Sequence, residues 1–205
     1  MSDTKITLVR HGKVNGKPAL YGHTDIELSA QGQRDLRSTL TQLRDCEPAI
    51  QIISSPLLRC ATLARLFAQE QQIPLRIEPA LMEMNFGIWD GIAFDELEKD
   101  WQALENFWQS PHSAQAPDGE TLADFAARII NAWENLLPQL DPGHHLVVCH
   151  GGVIRIVIAH VLGIDWRNPR LFRQLQIDYA SHTRVEIAAH PDAAPIIKWI
   201  ALPTQ

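Results

Sequence analysis

Apolar residues recur along the chain in two alternating modes, short unbroken runs and stripes at helical spacing. Ile6 to Val9 is a mostly β-branched run and predicts a buried strand. A loop marked by Asn15-Gly16, Pro18 and Gly22 follows. Leu36, Leu40 and Leu43 then fall in helical phase behind Ser29, a candidate N-cap, and Pro48 marks the exit. Ile50 to Ile53 predicts a second strand. The stripe Leu57, Leu58, Ala61, Leu63, Ala64, Leu66 and Phe67 predicts the helix after it, and Leu75 to Ile77 a short third strand. Phe94, Leu97, Trp101, Leu104 and Trp108 lie roughly in phase and predict a helix over 94–108. Leu122, Phe125, Ala126, Ile129, Ile130, Trp133 and Leu137 predict a long helix that Thr121 can cap. His145 to Cys149 reads as the most deeply buried strand. A nearly continuous apolar helix follows from Val153 to Leu162. Leu175 to Ile177, Thr183 to Ala188 and Pro195 to Leu202 read as outer strands.

Strands alternating with helices predict an α/β fold with a mainly parallel sheet covered on both faces. A length of 205 residues suits one such domain, 1–205, better than two. No internal repeat, low-complexity segment or linker interrupts it.

Composition narrows the function classes. The net charge is −6 and no basic run is present, which argues against nucleic acid as a partner. Three cysteines, Cys46, Cys60 and Cys149, form no CxxC pair and point to a reducing compartment. The first residues, Met1 to Lys5, lack the charged-then-apolar pattern of a signal peptide, and no apolar stretch approaches the roughly 20 residues that span a bilayer. The expectation is a cytoplasmic protein with no membrane partner.

The candidate chemistry lies at the ends of the predicted strands. The first ends in Arg10-His11-Gly12, the second just before Arg59, and the fourth in His150-Gly151-Gly152. In an open α/β sheet, ligands bind beyond the carboxyl ends of the strands. Gly12 would let the backbone turn sharply there. Two arginines and two histidines in one crevice repel one another unless an anion sits among them. A phosphate monoester fits, because guanidinium forks match phosphate oxygens and helix N-termini add N–H donors. One histidine can attack phosphorus in line, giving a phosphohistidine. The other, kept protonated by the dianion, would stabilise the equatorial oxygens. Glu83 sits between Met82 and Met84, near Phe86 and Trp89. Desolvation there would favour its protonated form and suit it to general acid work. No metal or other cofactor is required. Adjacent His144 and His145 point to opposite faces of a strand, and no zinc-type spacing is present.

Six stretches in order resemble the histidine phosphatase superfamily, also called phosphoglycerate-mutase-like. They are Leu8 to Gly12, Gly22 to Gly32, Ser54 to Ala64, Leu81 to Gly91, Pro117 to Arg128 and Val147 to Val153. The resemblance implies a three-layer α/β/α sandwich and names His11 as the phosphorylated nucleophile. It places Arg10, Arg59 and His150 in the phosphate pocket, Glu83 as proton donor, and Gly22 and His23 along the cleft. Trp89, Trp101 and Trp108, with Phe94 and Phe107, fall where the family builds a lid over the leaving group. The chain departs from the family pattern after Gly12. Lys13 and Val14 replace an acid and a Ser or Thr, and Lys17 stands in the region of an Asn, so Lys13 or Lys17 would supply charge instead. The compact segment around Glu83 is unlike the longer mutases. It is most similar to the α-ribazole-5′-phosphate phosphatases of cobalamin biosynthesis. The expected activity is therefore a metal-independent phosphomonoesterase acting on a small molecule. The alternatives are a broad-specificity sugar-phosphate or nucleotide phosphatase, a phosphoglycerate mutase, and a non-catalytic phospho-ligand binder.

Overall fold

A computed structural model describes residues 3–190 and 192–203. Met1 and Ser2, the start of the leaderless N-terminus expected from the sequence, lie outside the described residues, as do Pro191, Thr204 and Gln205. The strands are β1 (Thr4–Arg10), β2 (Gln51–Ser54), β3 (Leu75–Ile77), β4 (Gly143–Cys149), β5 (His182–Ile187) and β6 (Ile196–Leu202). The helices are α1 (Ala30–Cys46), α2 (Leu58–Gln71), α3 (Trp101–Gln109), α4 (Leu122–Leu136), α5 (Gly151–Leu162) and α6 (Arg170–Arg173). The six strands form one sheet in the order β3-β2-β4-β1-β5-β6. The first four in that order run parallel, and β5 and β6 close one side antiparallel. The fold is thus an α/β sandwich around a mostly parallel sheet.

The unbroken apolar runs have a simple cause. Ile6 and Leu8 of β1, with Val147 and Cys149 of β4, face one core together with α4 and α5. Val9, Leu146 and Val148 face the other core with α1 and α2. Side chains alternate along a strand, so a strand covered on both faces is apolar at every position. α1 leaves β1 on one face and α5 leaves β4 on the other, so the crevice between these two strands is the switch point of the sheet.

Local chemistry sets the helix starts. The Ser29 side chain accepts from the Gly32 N–H, and the Thr121 side chain from the Asp124 N–H. α2 has no cap of its own, and Asp25 supplies one from the loop after β1, accepting from the Leu58 N–H at 2.7 Å. Gly12 does not have a positive φ. Its role is close approach, since a Cβ there would lie 2.0 Å from the Gly32 carbonyl oxygen. The turn expected at Gly12 is therefore a packing contact with the first turn of α1.

Two expectations change. The span 94–108 is not one helix. It is two 3₁₀ turns, Phe94–Glu96 and Glu98–Asp100, and then α3. The Phe94 N–H is taken by the Pro18 carbonyl, which ties this start to the loop after β1. Leu175 to Ile177 is not a strand. Its carbonyls serve arginine side chains instead of a ladder, as described below.

His144 of β4 gives a test of the packing. Its Nδ1 donates to the Glu47 carbonyl at 2.9 Å and its Nε2 accepts from the Thr7 hydroxyl at 2.8 Å, a neutral tautomer. Burial pushes its pKa down to about 4. The unfolded chain takes up a proton near the ordinary imidazole value that the folded chain refuses until about pH 4. Stability therefore falls as pH drops through this window, by roughly 2–3 kcal/mol from this group. Urea unfolding at pH 7 and pH 4.5 is expected to show a smaller loss in His144→Gln than in the wild type.

Candidate active site

The site lies at the carboxyl ends of β1 and β4. The His11 N–H bonds to the Cys149 carbonyl, which joins the two strand ends directly. His11 is buried, and its Nδ1 lies 2.8 Å from the Gly12 carbonyl. A carbonyl accepts only, so Nδ1 carries the proton and Nε2 carries the free lone pair. Burial, then Arg59, then Arg10 hold this imidazole well below its ordinary range, so it is neutral at neutral pH. The His150 ring meets it edge-on, with centroids 5.2 Å apart.

His150 is fully buried and follows the same logic. Arg59 Nε donates to its Nδ1 at 3.2 Å, so its Nε2–H donates to Ser55 Oγ at 2.8 Å. Burial, with the Arg59 charge next, keeps it neutral as well. The sequence expectation of a protonated His150 is tied to a bound dianion; the hydrogen bonds here are those of a neutral ring between an arginine donor and a serine acceptor.

The arginines are held by main-chain carbonyls. Arg59 is fully buried; its Nη2 donates to the Tyr21 and Gly22 carbonyls and its Nη1 to that of Thr24, at 2.6–2.9 Å. With the bond to His150, four of its five N–H groups are committed to the protein. Arg10 Nη1 donates to the Ile177 carbonyl, and its guanidinium stacks 3.9 Å from the Tyr179 ring centroid. Its Nε is buried without a partner among the described residues.

Glu83 reaches the start of α5. Its Oε2 accepts from the Gly152 N–H at 2.9 Å, and its Oε1 from the Met84 N–H at 3.1 Å. A Cβ on residue 152 would lie 2.2 Å from Glu83 Oε1, so only glycine admits the carboxyl here. Beside Glu83 opens a cavity of about 320 Å³, walled by Phe86, Phe107, Trp108 and Phe172.

Other predicted residues fall as follows. Gly22 bonds Arg59 through its carbonyl, and His23 Nε2 is buried without a partner among the described residues. Lys17 pairs with Asp95 and Glu96 on the exposed surface and Lys13 is exposed, so neither joins the histidine–arginine cluster. Phe107 and Trp108 line the cavity, whereas Trp89 is buried core and Trp101 packs on Trp108. Among the described residues no group of three His, Cys, Asp or Glu is placed to hold a metal ion, and no helix is long and apolar enough to cross a membrane.

Sequence reasoning missed the supports. Asp90 accepts from four main-chain N–H groups, those of Gly22, His23, Thr24 and Phe86, at 2.7–3.1 Å. Arg128 grips Glu120 through Nε and Nη2 and donates to the carbonyls of Ala80, Met82 and Glu83, fixing the loop on both sides of the acid. Both residues stand inside the resembling stretches, which was the available signal. Their roles are main-chain contacts that no spacing reveals.

An imidazole with a free Nε2, arginine charge without carboxylate partners, and a carboxyl at a helix N-terminus together make a site suited to phosphoryl transfer in an α/β protein. The chain belongs to the histidine phosphatase superfamily, whose branch 1 model matches residues 6–194. An Escherichia coli K12 protein named adenosylcobalamin/alpha-ribazole phosphatase is 30% identical over 170 residues, covering 78% of this chain and 80% of that one. An Escherichia fergusonii protein named as a probable phosphoglycerate mutase, GpmB, is 26% identical over 173 residues, covering 82% and 79%. Among solved structures, Bacillus stearothermophilus YhfR superposes with a TM-score of 0.86 at 23% identity, covering 97% of each chain. The alpha-ribazole phosphatase of Shigella flexneri gives 0.80 at 24% identity, covering 98% and 99%. These two likenesses establish the fold.

Asp90 supplies a test of how the loops are held. Asparagine would turn an amide toward two of the four N–H donors. Asp90→Asn is expected to cost about 2–4 kcal/mol in stability. It should also lower kcat/KM for phosphate ester hydrolysis by at least tenfold, measured by denaturant unfolding and steady-state kinetics.

Proposed function

We propose that the chain is a metal-independent phosphomonoesterase that works through a phosphohistidine on His11, and that α-ribazole 5′-phosphate is its substrate. The observation that carries the mechanism is His11 itself: neutral, with Nδ1–H anchored on Gly12 and Nε2 free. In the first step Nε2 bonds to phosphorus as the ester P–O bond breaks. Protonated Glu83 gives its proton to the departing alkoxide. In the second step Glu83, now a carboxylate, takes a proton from water as that water attacks phosphorus. The P–N bond breaks, inorganic phosphate leaves and His11 is regenerated. Arg10, Arg59 and His150 surround the group in transfer, with Gly22 and His23 on the loop beside it. Arginine charge stabilises the equatorial oxygens.

The substrate assignment rests on the cavity beside Glu83. Its aromatic walls suit a flat, apolar base on the leaving alcohol. The 30% identical relative carries an alpha-ribazole phosphatase name, which supports the same reading.

Phosphate release in the presence of EDTA tests both parts. His11→Ala is expected to abolish turnover of p-nitrophenyl phosphate, and an acid-labile phosphoenzyme should form only in the wild type. Across α-ribazole 5′-phosphate, a purine nucleoside monophosphate, 3-phosphoglycerate and a sugar phosphate, a preference of about 10² or more for the ribazole ester is expected. That equals about 2.7 kcal/mol of transition-state discrimination. A flat profile overturns the substrate and leaves the phosphohistidine. Glu83→Gln should slow alkyl esters roughly 10²–10⁴-fold. It should spare kcat/KM for p-nitrophenyl phosphate, whose phenolate leaves without a proton, and lower its kcat, because hydrolysis of the phosphohistidine loses its base.

A further inference from the structure

Helix α5 carries a cation that neither the residue pattern nor the family resemblance assigned. Arg155 lies four residues after Gly151, on the same face of the helix. Helical side chains lean toward the N-terminus, so Arg155 points back to where α5 meets Arg10. Its Nε donates to the Leu175 carbonyl at 3.0 Å, which fixes the plane of the guanidinium. Its two terminal nitrogens make no hydrogen bond, and the group no ion pair, among the described residues. Arg155 lines the cavity beside Glu83.

Two distances relate it to the phosphoryl site. A Cβ on Gly151 would lie 3.0 Å from Arg155 Nη1 and 3.4 Å from Arg10 Nε. Those two donors therefore flank the first residue of α5, and Arg10 Nε is the buried nitrogen without a partner. The N-terminus of α5 adds its own positive dipole at the same point. Burial works against the Arg155 charge, Glu83 favours it and Arg10 opposes it. Arg59, by contrast, has one N–H left for a ligand.

We propose that Arg155 is a catalytic residue, the third arginine of the phosphoryl site, sharing the transferring group with Arg10 from the side on which the leaving group departs. The assignment rests on the phosphatase reading above and adds no covalent step. Arg155 donates to phosphoryl oxygens whose charge grows in the transition state. Arg10 then acts as half of a clamp, and the commitment of Arg59 to the loop carbonyls costs the site little.

The test uses Arg155→Met and Arg155→Lys, with orthovanadate as a mimic of the transferring group. Arg155→Met is expected to weaken vanadate inhibition at least tenfold. It should also lower kcat/KM about 10²–10³-fold, equally for p-nitrophenyl phosphate and an alkyl phosphate. Arg155→Lys keeps charge without the fork and should fall between Met and wild type. Unchanged vanadate inhibition overturns the proposal, whether the rate loss is confined to the alkyl ester, as for a residue serving Glu83, or is absent. If Arg155→Met does not fold, the Lys variant decides alone, and wild-type vanadate inhibition and rates in it overturn the proposal. EDTA-insensitive turnover by the wild type, lost in His11→Ala, is the control. Loss of that control removes the phosphatase reading, whereas an indifferent Arg155 beside an intact control removes only this assignment.

Discussion

The site depends on buried and half-buried arginine charge held in place by main-chain carbonyls. Arg10 rests on Ile177, Arg59 on Tyr21, Gly22 and Thr24, and Arg155 on Leu175. A carboxylate partner would satisfy the same N–H groups and also cancel the charge. A carbonyl fixes the geometry and leaves nearly the whole charge in place. That choice has a cost in a buried place, and the two histidines show it, because burial first and the arginine charge next push both toward neutrality. The same push is useful in His11. A neutral imidazole with its Nδ1 proton anchored is the form that can attack phosphorus, and the neighbouring cations guard it against protonation.

Carbonyl acceptors must be presented by chain that is not using them in a ladder or a helix. This explains the irregular parts of the fold. The loop 20–25 turns three carbonyls inward to Arg59 while its N–H groups point to Asp90. Asp90 thus does for the loop what a neighbouring strand does for an edge. The segment 175–179 stays irregular because two of its carbonyls serve Arg155 and Arg10, and its Tyr179 covers both Arg10 and His11. Arg128 repeats the device around Glu83, with Glu120 completing its coordination.

The same distinction decides what could be read in the sequence. Strands β1 to β4 and helices α1, α2, α4 and α5 follow from burial on two faces, and burial is written in the apolar pattern. The strand-end residues Arg10, His11 and His150 were legible because a cation or an imidazole at the end of an apolar run is a visible break. Asp90, Ser55 and the carbonyls of 175–177 were not, because their work is hydrogen bonding across long sequence separations. Leu175 to Ile177 has the alternation of a strand. Two of its carbonyls are taken by arginines instead of a ladder. Lys17 misled in the opposite direction, since a charge close in sequence to the strand end is drawn off by Asp95 and Glu96.

A chain with a net charge of −6 can still attract an anion if its positive charge is concentrated where the dielectric is low. The arrangement here does so around the start of α5, where Arg10 and Arg155 flank Gly151 and Arg59 bonds His150, whose ring meets that of His11. Glu83 is the carboxyl bonded to the start of α5, and it faces the apolar cavity. A phosphate ester entering this field is oriented by its own charge distribution. On the proposed reading, the dianionic end would go to the arginines and the uncharged end to the aromatic wall, with the bridging oxygen between them beside Glu83. In the mechanism proposed above, charge and apolarity separated across one carboxyl would present phosphorus to His11 on one side and the leaving oxygen to Glu83 on the other.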